Sequence, residues 1–335
     1  MAELAQRDDG GFAAPWWLRG PHLQTLYAPL LRRVEPPPRR RERLELADGD
    51  FVDLDWAGPA GDPRTPLVVL LHGLAGSSAS PYLAGLQRVL AARGWGSVAL
   101  NFRGASGEPN RRAHSYHSGE TGDLAALLAV LRQRHPERRL AAVGFSLGGN
   151  VLLKWLGESG SGAGLDVACA VSVPLRLDLC ASRLDRGLSR AYRDHLLRQL
   201  KRALAAKQAH LQRRGDRAEL ERFARLGDWR AARSFWQFDQ AVIAPLHGFA
   251  SAADYYARAS SWHYLDGIRV PTLLVQARDD PFMGHGTLPP AVAWPPTVTL
   301  RASPGGGHVG FVHGSPLAPR FWLEQCVPEF LASQL

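Results

Sequence analysis

Five short, mostly apolar runs constrain this chain most: residues 67–71, 97–102, 140–145, 167–173 and 272–276, the first four separated by helical patterns near 82–93, 121–134 and 147–157. Each run is too short for an ordinary helix and lacks the polar alternation of a strand with one wet face. They therefore read as strands buried on both sides. Such strands alternating with helices specify an α/β fold, with a mostly parallel central sheet of about eight strands flanked by helices. Leu44, Leu46, Phe51, Val52, Leu54 and Trp56 around Asp48-Gly49-Asp50 add a hairpin, with a strand on each side of Gly49. A short strand near 298–301 and a helix over about 319–331 complete the far edge. With 335 residues, 45% of them hydrophobic, the chain is long enough to bury a large core.

The alternation stops at Pro174. Residues 175–269 read as helical and basic, so they are taken as a helical cap inserted into a core made of 44–174 and 270–335. Its aromatic second half (Phe235, Trp236, Phe238, Tyr255, Tyr256) can wall an acyl pocket or form the cap's own core. The arginines of its first half read as a solvated helical face, compatible with peripheral contact at an anionic membrane surface. Residues 1–43 form an N-terminal extension, polar and frayed over 1–10 and apolar enough to pack on the body over 11–33. Pro36 to Pro38 with Arg39 to Arg41 read as an extended linker.

The most specific string is Gly144-Phe145-Ser146-Leu147-Gly148, which follows one of the apolar runs and opens a helix. A serine on so sharp a strand-to-helix turn needs glycines where Cβ atoms would clash, and its hydroxyl stands above the sheet edge near a helix N-terminus. The G-x-x-x-x-G-K-[ST] spacing of a phosphate loop is missing. A serine hydroxyl is a weak nucleophile, so an acid and a base must follow it in chain order. The run at 272–276 leads into Asp279-Asp280-Pro281, where Asp280 is preferred as the acid and Asp279 as the residue shaping the turn. His308, on Pro304-Gly305-Gly306-Gly307-His308-Val309-Gly310, is the base. Backbone N–H groups of Leu147 and of Leu74, in Leu71-His72-Gly73-Leu74, are the candidate oxyanion donors, with His72 orienting the loop. Arg103 is expected to pair with Asp123.

His114, His117, His135, His195 and His210 read as solvated positions, and His285 as a pocket-wall or surface residue. No pair at ligand spacing is backed by a second cluster, so neither a metal nor any other cofactor is expected. Cys169, Cys180 and Cys326 are odd in number and read as buried free thiols rather than a disulfide framework. No run approaches the roughly 18 apolar residues of a membrane-spanning helix, and no basic leader precedes an apolar stretch, so a cytoplasmic protein is expected.

Taken together, these motifs resemble the α/β-hydrolase superfamily and, within it, the YheT-like family of bacterial hydrolases. The resemblance spans nearly the whole chain. It rests on Pro21-His22-Leu23-Gln24-Thr25-Leu26, His72-Gly73-Leu74-Ala75-Gly76-Ser77, Asn101-Phe102-Arg103-Gly104, the string from Gly144 to Asn150, Ala244-Pro245-Leu246-His247-Gly248-Phe249 with Tyr255-Tyr256, and Asp279-Asp280-Pro281-Phe282. It implies a Ser146, Asp280, His308 triad and hydrolysis of carboxylic esters through an acyl-enzyme, with a small-molecule ester carrying an apolar acyl group as substrate. Thioesterase or acyltransferase chemistry would use the same groups.

Two readings of other classes compete. A catalytically silent binding protein of this fold would be expected to lack a triad or oxyanion element, and none is missing. A nucleic-acid partner is not expected: 40 Lys+Arg against 31 Asp+Glu give a net charge of +9, but the excess is spread along the chain rather than gathered in one tract.

Overall fold

A computed structural model describes residues 11–59, 62–284, 286–288 and 294–335. The frayed ends expected at 1–10 and the placement of His285 lie outside the described residues. In chain order, a 3-10 turn (Trp16–Leu18) and α1 (Pro21–Leu31) precede β1 (Arg39–Glu45), β2 (Phe51–Ala57), β3 (Leu67–Leu71) and α2 (Pro81–Ala92). Then come β4 (Gly96–Asn101), α3 (Gly122–Arg134), β5 (Leu140–Phe145), α4 (Leu147–Ser159) and β6 (Val167–Val171). Six helices follow: α5 (Leu177–Leu184), α6 (Ser189–Arg214), α7 (Arg217–Ala224), α8 (Phe235–Ala241), α9 (Ile243–His247) and α10 (Ala252–Ala259). The chain returns through β7 (Thr272–Ala277) and β8 (Val298–Ser303) to a hairpin, β9 (Val312–Ser315) and β10 (Ala318–Phe321), and ends in α11 (Leu323–Gln334).

Among the described residues the main sheet has eight strands in the order β1-β2-β4-β3-β5-β6-β7-β8. β2 runs antiparallel to both its neighbours, and the pairings from β4 to β8 are parallel. Every residue of β3, β5, β6 and β7 is buried, as the unbroken apolar runs require. Side chains alternate between two cores. Val69, Leu71 and Ala142 face one cluster with α3 and α4, while Val68, Leu70 and Val143 face the other with α2 and α11. The helices α5–α10 have a third apolar cluster of their own, built around Leu197, Leu204, Phe223, Phe235, Phe238 and Tyr255.

Two expectations are corrected. Arg39 to Arg41 are not a linker but the start of β1, the edge strand paired with β2. The strand is hidden in the sequence because its residues are almost all charged: Arg41 pairs with Asp55 at 2.8 Å and Arg43 with Asp53 at 2.9 Å. The helix expected from about 319 starts at Leu323, because residues 312–321 pair with each other as β9 and β10. This hairpin is too short and too exposed to leave an apolar pattern. The three cysteines are free and buried, as expected.

Helix α4 packs so closely on the 3-10 turn Ser261–Gly267 that a Cβ added at Gly157 would lie 1.9 Å from the Tyr264 carbonyl oxygen. Backbone cannot yield cheaply to such a contact. Gly157→Ala is expected to destabilise the fold by about 2–3 kcal/mol, read as a lower urea midpoint with an unchanged slope.

Candidate active site

The three residues singled out as nucleophile, acid and base meet at the carboxyl edge of the sheet. Ser146, directly after β5, adopts φ 51° and ψ −117°, a strained conformation for a residue with a side chain. Its N–H donates to Val171 O at 2.8 Å. The glycines around it are sterically required: a Cβ at Gly144 would lie 2.4 Å from Gly148 O, and one at Gly148 would lie 2.6 Å from His72 O. Strand, turn and helix can cross at this distance only without those side chains.

His308 Nε2 lies 2.9 Å from Ser146 Oγ, and its Nδ1 lies 2.8 Å from Asp280 Oδ2. Asp280 is buried and accepts the Phe282 N–H at 2.8 Å on its other oxygen. Phe282 then stacks on the His308 ring, 4.0 Å away and 5° from parallel. Asp279 does not reach His308; it accepts the Gly307 N–H at 2.9 Å and so holds the glycine run.

α1 also holds this site, through contacts that the sequence around His22 does not mark. Thr25 Oγ1 accepts the His308 N–H at 2.9 Å, and buried Gln24 accepts the Val312 N–H at 2.8 Å while donating to Val312 O at 2.9 Å. A Cβ at Gly307 would lie 2.5 Å from Pro21 O, and one at Gly310 2.5 Å from Gln24 O. The glycines of the histidine loop thus let α1 lie against it, in addition to any turn they make.

The loop carrying Leu74 and the first turn of α4 with Leu147 both lie beside Ser146. A Cβ at Gly73 would lie 3.2 Å from Ser146 Cβ, so this loop passes directly against the serine. The Gly73 N–H donates to Tyr82 OH and the Ala75 N–H to Tyr116 OH, each at 2.9 Å. Between these two anchored groups, the Leu74 N–H has no protein acceptor among the described residues, and neither does the Leu147 N–H at the first turn of α4. His72 is buried, its pKa lowered to about 4 by burial, and it bridges Gly73 O at 2.8 Å and the Phe102 N–H at 3.1 Å. It fastens the loop as a neutral ring. Arg103 pairs with Asp123 at 2.7 Å, as expected.

Ser146 and His308 open into a space of about 90 Å³ lined by Leu177, Leu184, Phe235, Tyr255 and Phe282. It shares Leu74, Leu147, Phe235, Asp239 and Tyr255 with a cavity of about 430 Å³ running between the residue 103–118 loop and helices α6 and α8. Asp239 is a buried carboxyl shared by the two spaces, beside Phe235 and Tyr255. It accepts the Tyr256 hydroxyl at 2.6 Å, and burial raises its pKa to about 7.

These features have counterparts in known proteins. A family profile described as alpha/beta hydrolase fold matches residues 66–315. YheT of Escherichia coli (strain K12), provisionally named an esterase, is 41% identical over 94% of this chain and 91% of its own length. Phospholipase ABHD3 of Mus musculus is 29% identical over 93% of this chain and 73% of its own. Medium-chain fatty acid ethyl ester synthase/esterase 2 of Saccharomyces cerevisiae is 30% identical over 89% of this chain and 66% of its own. Among solved structures, a Pyrococcus furiosus esterase superposes with TM-score 0.56 at 18% identity, covering 90% of this chain and 98% of that one, a likeness of fold. The chain belongs to the α/β-hydrolase fold family and, within it, to the YheT-like group.

Asp239 also sets a pH dependence of stability. Between its ordinary value of 3.8 and about 7 the folded chain holds a proton that the unfolded chain has released. The stabilisation from that proton is full at acid pH and is lost as pH rises through about 7. Asp239→Asn is expected to remove roughly 2 kcal/mol of the decline in unfolding free energy between pH 5 and pH 8, measured by denaturant titration at both values.

Proposed function

We propose that the protein hydrolyses carboxylic esters through an acyl-enzyme on Ser146. The observation that carries this reading is the unbroken hydrogen-bond chain from Ser146 Oγ through both His308 nitrogens to Asp280. Ser146 Oγ attacks the ester carbonyl carbon while its proton passes to His308 Nε2. Asp280 holds Nδ1–H in place and stabilises the imidazolium, and Phe282 limits rotation of the ring. The developing oxyanion receives the Leu74 and Leu147 N–H groups. Collapse expels the alkoxide, which takes the proton from His308; water then attacks the acyl-enzyme by the same route and releases the acid. The helices α5–α10 act as a cap, and the apolar walls beside Ser146 suit an apolar acyl group. The relatives named for esterase, phospholipase and ethyl ester synthase activity support ester chemistry at this site.

The test is labelling by a fluorophosphonate, followed by hydrolysis of p-nitrophenyl esters from acetate to palmitate. Ser146→Ala is expected to lose all labelling, and Asp280→Asn to lower kcat by about 10³–10⁴-fold. Asp279→Asn, which only loosens the loop at Gly307, is expected to lose far less. A folded wild-type chain that takes no label sinks the proposal.

We also infer that the substrate is met at a lipid surface. Among the described residues seven large apolar side chains are exposed, and five of them (Trp16, Leu23, Leu26, Leu30, Leu31) lie on the 3-10 turn and α1. The buried face of the same helix holds the His308 loop. Residues 11–34 carry no acidic residue; the Arg32 side chain is buried and paired with Glu324, but Arg19 and Arg33 are exposed beside the apolar side chains and suit anionic headgroups. A Leu23→Ser/Leu30→Ser variant is expected to bind phosphatidylcholine–phosphatidylglycerol vesicles at least about tenfold more weakly in co-sedimentation. Its turnover of soluble p-nitrophenyl acetate should be unchanged, and equal vesicle binding by variant and wild type would rule the patch out.

A further inference from the structure

Away from Ser146, two histidines expected to be solvated are gathered with a third against a buried carboxylate. His114 Nε2 lies 3.1 Å and His117 Nε2 3.7 Å from Glu120 Oε2, all in the segment between β4 and α3. His247, the last residue of α9, sets its ring edge-on to both, with centroids 4.4 Å and 4.5 Å away. One ring nitrogen each of His114 and His247 and one oxygen of Glu120 lie within 4.8 Å of one another. Sequence spacing could not reveal this, because the third member arrives from the inserted helices, more than a hundred residues along the chain.

The cluster leaves one of its buried polar atoms unsatisfied. His247 Nε2 is buried without a hydrogen-bond partner among the described residues, the kind of orphan that an unseen water or ion explains. His117 Nδ1 accepts the Gly119 N–H at 3.1 Å, which places its proton on Nε2, facing Glu120. At 3.7 Å this nitrogen faces the carboxylate without a hydrogen bond to it, so His117 lines the group rather than supplying a ligand.

We propose that His114, Glu120 and His247 form a site for a divalent transition metal, zinc being the ion this ligand set fits. Bonds of about 2.0–2.2 Å in tetrahedral geometry place donor atoms about 3.3–3.5 Å apart. The three groups reach that spacing by closing at most about 1.5 Å, with the His114–Glu120 hydrogen bond exchanged for two bonds to the ion. The cation nearest the cluster on α6 is Lys207, whose ammonium is already committed to the carbonyl oxygens of Arg112 and His114. The ion would tie α9 to the residue 103–118 loop that lines the large cavity. It takes no part in the chemistry at Ser146, and the proposal stands whether or not that serine is a nucleophile.

The experiment uses untagged full-length chain stripped with EDTA and dialysed against Zn²⁺, with bound metal measured by mass spectrometry and Co²⁺ used as a spectroscopic probe. Wild type and Ser146→Ala are expected to hold one zinc per chain and to give the intense visible absorption of tetrahedral cobalt. His247→Ala and, should that variant not fold, His247→Gln are expected to lose the bound zinc and the cobalt spectrum. Zinc should raise the thermal midpoint of wild type by several degrees and leave that of the folded His247 variant unmoved. Wild type that retains no stoichiometric zinc, or a folded His247 variant that binds zinc as wild type does, overturns the site.

Discussion

The left-handed backbone of Ser146 is the constraint on which the rest of the site depends. At φ 51° the residue carries of the order of 1–3 kcal/mol of strain, which persists only where its surroundings leave no alternative. Those surroundings are the centre of the sheet. β5 lies between β3 and β6, all three are fully buried, and the Ser146 N–H is taken by the carbonyl of Val171, the last residue of β6. The helix that leaves the turn is equally fixed. Asn150, in its first turn, donates to Ser118 O and Ala259 O and accepts the Ser261 N–H, which ties the start of α4 to the residue 103–118 segment and to the end of α10. The strain is therefore borne by the folded core, and the hydroxyl is displayed without freedom to relax.

The histidine is positioned by different physics. Its loop has little apolar content to bury, so it is clamped from outside by polar contacts to its backbone: Thr25 on the His308 N–H, Asp279 on the Gly307 N–H and Ser172 on the Val309 N–H at 3.0 Å. Val309 and Phe311 also hold positive φ, at 57° and 45°. Each clamp comes from a different part of the chain. The serine is rigid because of what surrounds its strand, whereas the histidine is rigid because three distant segments hold its loop.

This contrast explains what could be read from the sequence. Where rigidity comes from local chemistry, the residues announce it: the glycines of the 144–148 turn, the apolar runs of the buried strands, and the glycine run before His308. The distinction between Asp279 and Asp280 was narrower, since adjacent carboxylates in one turn differ only in which way the backbone points them. Where rigidity comes from contacts distant in sequence, the pattern is silent. The buried side of α1 is polar, because Gln24 and Thr25 bond to the backbone of residues 308–312, so a helix holding the site resembles a surface appendage. Likewise His117 looks solvated in a polar loop until Phe249 and Tyr255 of the inserted helices close over it, with ring centroids at 5.5 Å.

The same silence affects the reading of charge. Three arginines in a row at 39–41 suggest a linker, yet they begin the edge strand of the sheet, and Arg41 and Arg43 are engaged with carboxylates of β2 and of the loop after β4. Arg43 bonds to both Asp53 and Glu108, and Arg41 to Asp55. An edge strand carries unpaired backbone groups that invite another strand, and the density of charge along β1 makes such pairing costly because an incoming strand would have to displace or desolvate ion pairs. Elsewhere, too, the cations are matched locally: Arg103 with Asp123 and Asp48, Arg132 with Asp166, Arg193 with Asp185. These cations fasten the sheet edge and the loops, whereas the site is read from groups left without an internal partner among the described residues, among them the Leu74 and Leu147 N–H groups beside Ser146.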